Sequence, residues 1–266
     1  VKAIFLDQEL AGKLFSHGKR FSSANSINWG RLAPQIAYYV WAWKSWGQRG
    51  DRLPEAGFNI VVPTGNFGNI LAAYYAKKLG VPVKRLICAS NRNNVLTEFI
   101  RTGVYDRKRE FHQTISPAMD ILISSNLERL LYELTGRDPL RIKALMTHLQ
   151  EEGSYSLESR EVQELQKNFW GGYASEEETL FAIHDCYQRH GYLIDPHTAV
   201  GYKVYHDYLS ETGDHTPTVI ASTASPYKFG SAVADAVMGG EKKANRDEFR
   251  LLEELSGYTG VPIPTN

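Results

Sequence analysis

A short turn with two glycines and two asparagines joins an apolar run to a helical pattern. The apolar run covers residues 58–62, the turn covers 63–69 (PTGNFGN), and apolar residues then recur at helical spacing. A strand that passes through such a turn into a helix leaves backbone N–H groups free at the positive end of the helix dipole. Glycine lets the backbone approach a ligand closely and take positive φ. We therefore predict an anion site, best suited to a phosphate, made by Gly65, Asn66, Phe67, Gly68 and Asn69. An ordinary strand-to-helix turn has the same pattern, because lone glycine motifs also occur by chance.

A second polar segment precedes a strongly apolar helix that is predicted over residues 32–46. It contains two asparagines, a serine and an arginine: Asn25, Ser26, Asn28 and Arg31. One amide or hydroxyl side chain is enough to cap a helix. An arginine in the first turn lies near the positive end of the helix dipole, which is unfavourable unless an anion is close by. The pattern fits an oxyanion site, and it also fits simple capping beside a surface arginine.

Further polar candidates follow other predicted strands. Thr223 and Ser225 come after the apolar run 218–222, and a hydroxyl at the carboxyl end of a parallel strand can reach a ligand in the same crevice as the glycine turn. Capping of the helix that follows is the alternative. For the asparagine-rich loop 91–94 and for His197 we favour structural roles, in turns and at a helix start respectively.

The elements that must position these residues alternate along the chain. Three apolar runs predict buried strands: 58–62, 83–89 and 218–222. Gly80 and Pro82 terminate the helix that follows the glycine turn. The order strand–helix–strand predicts a parallel sheet with right-handed crossovers. Residues 138–190 alternate at helical period and predict a helical insertion, with a break at 170–173. The chain is thus expected to be an α/β protein.

Composition limits the classes of function. The chain has 266 residues, with 30 basic and 30 acidic side chains, so no overall charge recruits nucleic acid or an anionic membrane. Cys88 and Cys186 lie far apart and indicate core thiols in a reducing compartment, the cytoplasm. No apolar run approaches the roughly 20 residues of a membrane span. The first residue is Val1 rather than methionine, so the sequence is expected to be part of a longer polypeptide.

Six stretches, taken in order, carry a family resemblance. They are 25–31 (NSINWGR), 63–69 (PTGNFGN), 116–121 (SPAMDI), 171–173 (GGY), 195–200 (DPHTAV) and 223–229 (TASPYKF). Together they resemble threonine synthase, a pyridoxal phosphate enzyme with the tryptophan-synthase-β-like fold (fold type II). The resemblance covers nearly the whole chain and is closest to the longer form of fungi and many bacteria. It implies a three-layer α/β fold with a parallel or mixed sheet.

The resemblance also implies a role for each candidate residue. The turn Gly65–Asn69 is similar to the cradle for the 5′-phosphate of the cofactor, and Thr223 to the hydroxyl that bonds its pyridine nitrogen. The family's site for the phosphate of the substrate matches Asn25, Ser26, Arg31 and, in support, Asn28. The implied reaction converts O-phospho-L-homoserine and water to L-threonine and phosphate.

The chain departs from the family in one respect. The Schiff-base lysine of the family lies in a Phe-Lys-Asp segment upstream of the Asn-Ser-Ile-Asn stretch, and no lysine here has that context. Lys228 lies in Tyr-Lys-Phe and matches a different family lysine. The resemblance therefore implies a carboxyl-terminal portion, with 1–28 as the remainder of a smaller domain and 29–266 as the large cofactor-binding domain. Without the amino-terminal part of the enzyme, such a chain is expected to be inactive.

Two other functions stay open at this point. One is another eliminating pyridoxal phosphate enzyme, such as a relative of threonine dehydratase, which needs no second phosphate site. The other is a non-catalytic protein that keeps the fold without the lysine and binds a phosphate ligand. Asn25, Ser26 and Arg31 discriminate against the first alternative. The second would be favoured if the natural gene encoded no upstream Phe-Lys-Asp segment.

Overall fold

The computed structural model of the chain describes residues 4, 7–22, 27–48, 57–239 and 247–264. Helices are formed by the following segments: α1 Gln8–Ser16, α2 Trp29–Gln48, α3 Gly68–Lys78, α4 Val95–Thr102, α5 Leu127–Leu134, α6 Pro139–Glu151, α7 Ser159–Asn168, α8 Glu176–His190, α9 Pro196–Thr212, α10 Gly230–Met238 and α11 Glu248–Thr259. Strands are formed by these segments: β1 Phe58–Pro63, β2 Val83–Ser90, β3 Val104–Asp106, β4 Ser154–Ser156, β5 Phe169–Tyr173 and β6 Thr218–Ile220.

A four-stranded parallel sheet forms the centre of the protein. Its strand order is β5-β2-β1-β6, and the three predicted strands are all members of it. In β1, Val62 pairs with Cys88 of β2 and Val61 with Ile220 of β6. Every residue of β1 is buried, which is typical of a parallel sheet covered on both faces. The prediction of an α/β protein with a parallel sheet is confirmed.

Helices cover the two faces of this sheet, which gives three layers. Successive residues of a strand point to opposite faces. Ile60 and Val62 belong to the core that contains α3 and α4, whereas Val61 belongs to the core that contains Val200 and Val204 of α9. A further cluster of buried side chains joins α8, α10 and α11. The carboxyl ends of the central strands therefore open between two layers of helices.

The expected break at 170–173 is wrong, because these residues form β5 at an edge of the sheet. Two glycines weaken a strand pattern, but here they allow helices to pack closely on both faces. A Cβ on Gly171 would lie 3.1 Å from the Cα of Thr97 in α4, and a Cβ on Gly172 would lie 2.9 Å from Cγ1 of Val204 in α9. The segment 138–190 is accordingly not a purely helical insertion.

A small second sheet also interrupts the expected insertion. Strands β3 and β4 pair antiparallel, with Tyr105 opposite Tyr155. The two rings stack with 5.3 Å between their centroids. Cross-strand aromatic pairs of this kind stabilise short antiparallel ladders. Because β4 lies within residues 138–190, this segment is not one uninterrupted helical region.

Both cysteines are free thiols in the interior. Cys88 lies in β2, and burial raises the pKa of its thiol to about 12. Burial also raises the pKa of Cys186. Among the helices in the described ranges, none is both long and apolar enough to cross a membrane. The division of the chain at residues 28 and 29 into two domains stays a prediction.

Replacement of Gly172 by alanine should destabilise the protein. The added Cβ would lie 2.7 Å from Cζ3 of Trp170 and 2.9 Å from Cγ1 of Val204, and overpacking of this kind costs about 1–3 kcal/mol. The free energy of unfolding in urea measures the effect. Gly257→Ala is the matched control, because nothing lies within 4 Å of its Cβ position in α11. That variant should gain about 0.5–1 kcal/mol, and an equal loss in both would contradict the packing argument.

Candidate phosphate-binding site

The turn between β1 and α3 has an unusual backbone conformation. Phe67, the residue before α3, has φ +64°, in the left-handed region. We expected the glycines to take positive φ, but Gly65 and Gly68 do not. The ring of Phe67 is buried and lies 5.8 Å from the ring of Phe169. Burial of this ring holds the strained backbone in place, and a left-handed residue before a helix directs successive N–H groups toward one point.

Gly65 serves close packing rather than positive φ. An ideal Cβ on this residue would lie 2.4 Å from the carbonyl oxygen of Ala118 and 3.1 Å from the Cα of Met119. Both contacts are with backbone atoms, which cannot move aside as a flexible side chain can. The segment around Ala118 therefore forms a fixed wall beside the turn.

Carbonyl groups of the turn are bonded, whereas its N–H groups are not. The oxygen of Gly65 accepts from Oγ of Ser124 at 3.0 Å, and the oxygen of Asn66 accepts from N and Nδ2 of Asn126 at 3.1 and 2.9 Å. Thr64 makes the last ladder bond, from its N–H to the oxygen of Ala89. Within the described residues, no backbone N–H from position 65 to 69 donates a hydrogen bond. The turn is held by its acceptors, and its donors stay available.

These N–H groups border a cavity of about 210 Å³. Its lining is residues 63–69 together with Gln35 and Ala118. Among the described residues, no carboxylate is part of this lining, and the first turn of α3 contains no acidic residue. The positive end of the α3 dipole adds to the N–H groups. The arrangement fits a phosphate group, for which each N–H would supply one donor.

The side chain of Asn69 is oriented by Tyr39, a residue outside the turn. The hydroxyl of Tyr39 in α2 donates to Oδ1 of Asn69. Burial raises the pKa of the Tyr39 phenol far above its usual value, so it stays a donor. Because Oδ1 is engaged, the amide offers its N–H₂ group, and Asn69 itself lines the cavity. Tyr39 thus adds a side-chain donor to the backbone donors of the turn.

The predicted second anion segment lies partly outside the described residues. Asn25 and Ser26 belong to the part of the chain that is not described. The side chain of Asn28 caps α2, since its Oδ1 accepts from the N–H of Gly30 at 2.9 Å. Arg31 lies in the first turn of α2 with an exposed side chain. It precedes Gln35 by four residues, which places both on one face of the helix, about 6 Å apart along its axis.

Arg129 links this segment to the glycine turn. It donates from NH2 to the carbonyl oxygen of Ile27 at 2.7 Å and from NH1 to Oδ1 of Asn126. Asn126 in turn holds the oxygen of Asn66. The start of α2 and the glycine turn are therefore tied together through two side chains.

Thr223 lies three residues beyond the end of β6, with an exposed side chain. β6 runs parallel to β1 and pairs with it. Thr223 and the glycine turn therefore both follow the carboxyl ends of their strands, at the same end of the sheet. Capping of the following helical turn is performed by Ser225, whose Oγ accepts from the N–H of Tyr227 at 3.3 Å. The hydroxyl of Thr223 is thus not used as a cap.

One polar cluster behind the site has a larger role than predicted from the sequence. Asn91 and Asn93 were predicted to have structural roles in a turn, and both are buried. Nδ2 of Asn91 and Oγ1 of Thr114 each donate to Oδ1 of Asp120 at 2.7 Å. The N–H of Thr114 donates to Oδ2 of Asp120 at 2.9 Å. This cluster joins the loop after β2 to the segment that carries Ala118. Asp120, its central acceptor, belongs to the sequence motif 116–121.

Comparison with known proteins identifies relatives along most of the chain. A family model described as "Threonine synthase, C-terminal" matches residues 198–261. Human "Threonine synthase-like 1" is 42% identical over 264 residues, which is 98% of this chain and 35% of that protein. The threonine synthase of Pseudomonas aeruginosa is 39% identical over 239 residues, 90% of this chain and 48% of that protein. The chain spans about half the length of the threonine synthases that it matches.

Solved structures of threonine synthases also superpose on most of this chain. A crystal structure titled as pyridoxal phosphate-bound threonine synthase from Brucella melitensis superposes with a TM-score of 0.78 at 38% identity, over 95% of this chain and 51% of that one. The yeast threonine synthase also superposes with a TM-score of 0.78, at 33% identity over 95% of this chain and 52% of that one. The predicted fold class, that of the fold-type II pyridoxal phosphate enzymes, is confirmed.

Tyr39→Phe tests the orientation of Asn69. Loss of the hydroxyl leaves Oδ1 of Asn69 without its donor and frees the amide to turn, so affinity for a phosphate ligand should fall about three- to tenfold. Titration with pyridoxal phosphate, followed by its fluorescence or absorbance, measures the change. Tyr74→Phe is the matched control, since Tyr74 is a buried tyrosine of α3 whose ring packs on Phe169. Equal affinities for the two variants would contradict the proposed orientation.

Proposed function

Because this chain is a homologue of the threonine synthases, we propose that it forms the phosphate-binding half of a pyridoxal phosphate-dependent active site. The observation that carries the proposal is the turn Gly65–Asn69, whose carbonyl groups are bonded while its N–H groups are left for a ligand. A cavity bordered by these donors, with no carboxylate in the part of its lining that the structure describes, fits the 5′-phosphate of the cofactor. Thr223, which follows β6 at the same carboxyl-terminal end of the sheet, would hold the pyridine nitrogen.

The proposed cofactor supplies an electron sink for chemistry at the α-carbon of an amino acid. The residues of this chain bind and orient it. A neutral hydroxyl at Thr223 can accept or donate a hydrogen bond, so it does not impose a charge on the ring nitrogen. The turn anchors the other end of the cofactor, which fixes the ring between two elements of the central sheet.

We propose O-phospho-L-homoserine as the substrate, converted with water to L-threonine and phosphate. The substrate phosphate would bind at the start of α2, where Arg31 supplies a cation and Asn25 and Ser26 supply amide and hydroxyl donors. Asn28 supports this segment by capping the helix. A cation beside the leaving group stabilises the negative charge that develops as phosphate departs. Two separate anion sites distinguish this reaction from eliminations on unphosphorylated amino acids.

We further infer that this chain binds the cofactor without a covalent bond. The cavity at the glycine turn is lined by no lysine among the described residues. The family lysine lies in a Phe-Lys-Asp context that is absent from this sequence. The covalent link and turnover would come from an amino-terminal part of the kind that the longer relatives possess, as a partner of the large domain.

A second candidate function is favoured by one comparison. The chain is more similar to human "Threonine synthase-like 1", at 42% identity, than to the threonine synthase of P. aeruginosa, at 39%. The second candidate is therefore a different pyridoxal phosphate-dependent lyase of the same fold, or a binding protein for a phosphate ligand. Product analysis with O-phospho-L-homoserine on a full-length protein that contains this segment separates these functions. A synthase releases L-threonine and phosphate, a dehydratase-like lyase releases a 2-oxo acid, ammonia and phosphate, and a binding protein releases no product.

Gly65→Ala should abolish tight binding of pyridoxal phosphate by the chain. The new Cβ would overlap the oxygen of Ala118 and displace the turn, so we expect a loss of at least about tenfold in affinity. Equilibrium dialysis measures the affinity, and Gly257→Ala serves as the control.

Borohydride treatment of the wild-type mixture, followed by mass spectrometry, tests the non-covalent mode. We expect no stoichiometric pyridoxyl label on any single lysine. A stoichiometric label together with L-threonine formation would contradict this part of the proposal.

Arg31→Ala, made in an active full-length protein that contains this segment, should raise KM for the phosphorylated substrate. Loss of a charge-assisted contact of about 1.5–3 kcal/mol predicts an increase of about 10- to 100-fold. Steady-state kinetics measure KM and kcat separately. Arg160→Ala is the control, because Arg160 is likewise an exposed arginine in the first turn of a helix. An unchanged KM would favour the lyase that needs no second phosphate site.

A further inference from the structure

Asp195 and His197 form a buried pair at the start of α9. Oδ1 of Asp195 accepts from the backbone N–H and from Nδ1 of His197, both at 2.9 Å, and its Oδ2 accepts from Thr198. Burial by itself raises the pKa of this carboxyl, but the hydrogen bonds from His197 and Thr198 hold the pKa below its usual value. The carboxylate is therefore ionised at neutral pH. Since it can only accept, Nδ1 of His197 carries a proton.

The second ring nitrogen of His197 contacts the wall of the phosphate cavity. Nε2 lies 3.2 Å from the backbone nitrogen of Ala118. A backbone N–H can only donate, so Nε2 must present a lone pair. The imidazole is thus the neutral Nδ1–H tautomer, and its two hydrogen bonds fix the orientation of the ring.

Ala118 is confined from its other side by the glycine turn. Its carbonyl oxygen lies against Gly65, 2.4 Å from the position that a Cβ would occupy. Ala118 also lines the same cavity as the turn. A shift of this residue would therefore change the surface against which the N–H groups of the turn are arranged.

The ring of His197 also contacts the segment that begins with Thr223. Its centroid lies 4.8 Å from the centroid of Phe229, and Phe229 ends the helical turn that follows Ser225. His197 is thus in contact with Ala118 of the cavity lining and with Phe229, six residues after Thr223.

We propose that His197 is a positioning residue for the phosphate cradle. Held by Asp195 as the neutral Nδ1–H form, it fixes Ala118 through Nε2 and thereby sets the width of the cavity for a phosphate monoester. This inference rests on the proposed function, because the ligand is the 5′-phosphate of pyridoxal phosphate. His197 itself touches neither the cofactor nor the substrate.

A pair of substitutions separates positioning from general packing. In His197→Gln, the side-chain oxygen can reach the site of Nε2 and accept from Ala118, whereas the asparagine of His197→Asn is too short to do so. Hydrogen–deuterium exchange of the ligand-free chain reports on the amide of Ala118 directly. We expect faster exchange in the segment 116–119 for His197→Asn than for His197→Gln, with similar unfolding midpoints in urea.

Affinity for pyridoxal phosphate is the second measurement on the same variants. We expect about a five- to tenfold loss for His197→Asn and recovery to within about threefold of wild type for His197→Gln. Equal losses of affinity and equal exchange in both variants would overturn the proposal. If the wild-type chain binds no pyridoxal phosphate, the proposed function fails, while the exchange experiment still decides whether His197 positions Ala118.

A measurement on the unaltered chain guards against variants that do not fold. Nitrogen NMR of the chain labelled at histidine distinguishes the tautomers. The Nδ1–H form of His197 is expected near neutral pH. A proton on Nε2 would exclude the bond from Ala118 and would overturn the proposal.

Discussion

The structure depends on a set of backbone N–H groups that are kept free at a helix start. The first N–H groups of every helix lack partners within the helix, and side chains, water or a ligand satisfy them. Here the carbonyl oxygens of Gly65 and Asn66 are fixed by Ser124 and Asn126. The turn therefore cannot rearrange to bond its own donors. Rigidity at the acceptors is what makes the donors available.

This rigidity is supplied by segments that are distant in sequence. The stretch 114–126 lies beside the turn and is itself held by Asp120, which accepts from Asn91 and Thr114. Arg129 extends the support to the start of α2. The sheet adds a further constraint, because the carboxyl ends of β1, β2 and β6 lie at the same end of the sheet and bring their loops together. The proposed binding site, which is made of loops, is thus held in place by a scaffold of parallel strands.

Local patterns in the sequence were sufficient for the central strands and for the turn. Phe58–Pro63, Val83–Ser90 and Thr218–Ile220 are mostly apolar, and they lie within runs of a length that suits strands. The strand Phe169–Tyr173 could not be predicted in this way, since Gly171 and Gly172 weaken the local preference and only tight packing against α4 and α9 favours the extended form.

The details of the site depended on contacts that no local pattern contains. Positive φ at Phe67 is possible because its ring is buried against Phe169, about a hundred residues away. The same holds for Asn91, whose place in a buried network is decided by Asp120. The residue types at the turn were thus predictable, whereas the geometry that leaves their N–H groups free came from tertiary structure.

The burial of Cys88 gives the molecule an internal reporter of its own opening. Its thiol lies in β2 opposite Val62 of β1, and its raised pKa leaves almost no thiolate in the folded state. A thiol reagent can then modify Cys88 only when the helical layer that covers this face of the sheet opens. The rate of modification would measure how often the core beneath the proposed phosphate cradle opens, and a ligand that binds in the cradle should slow it.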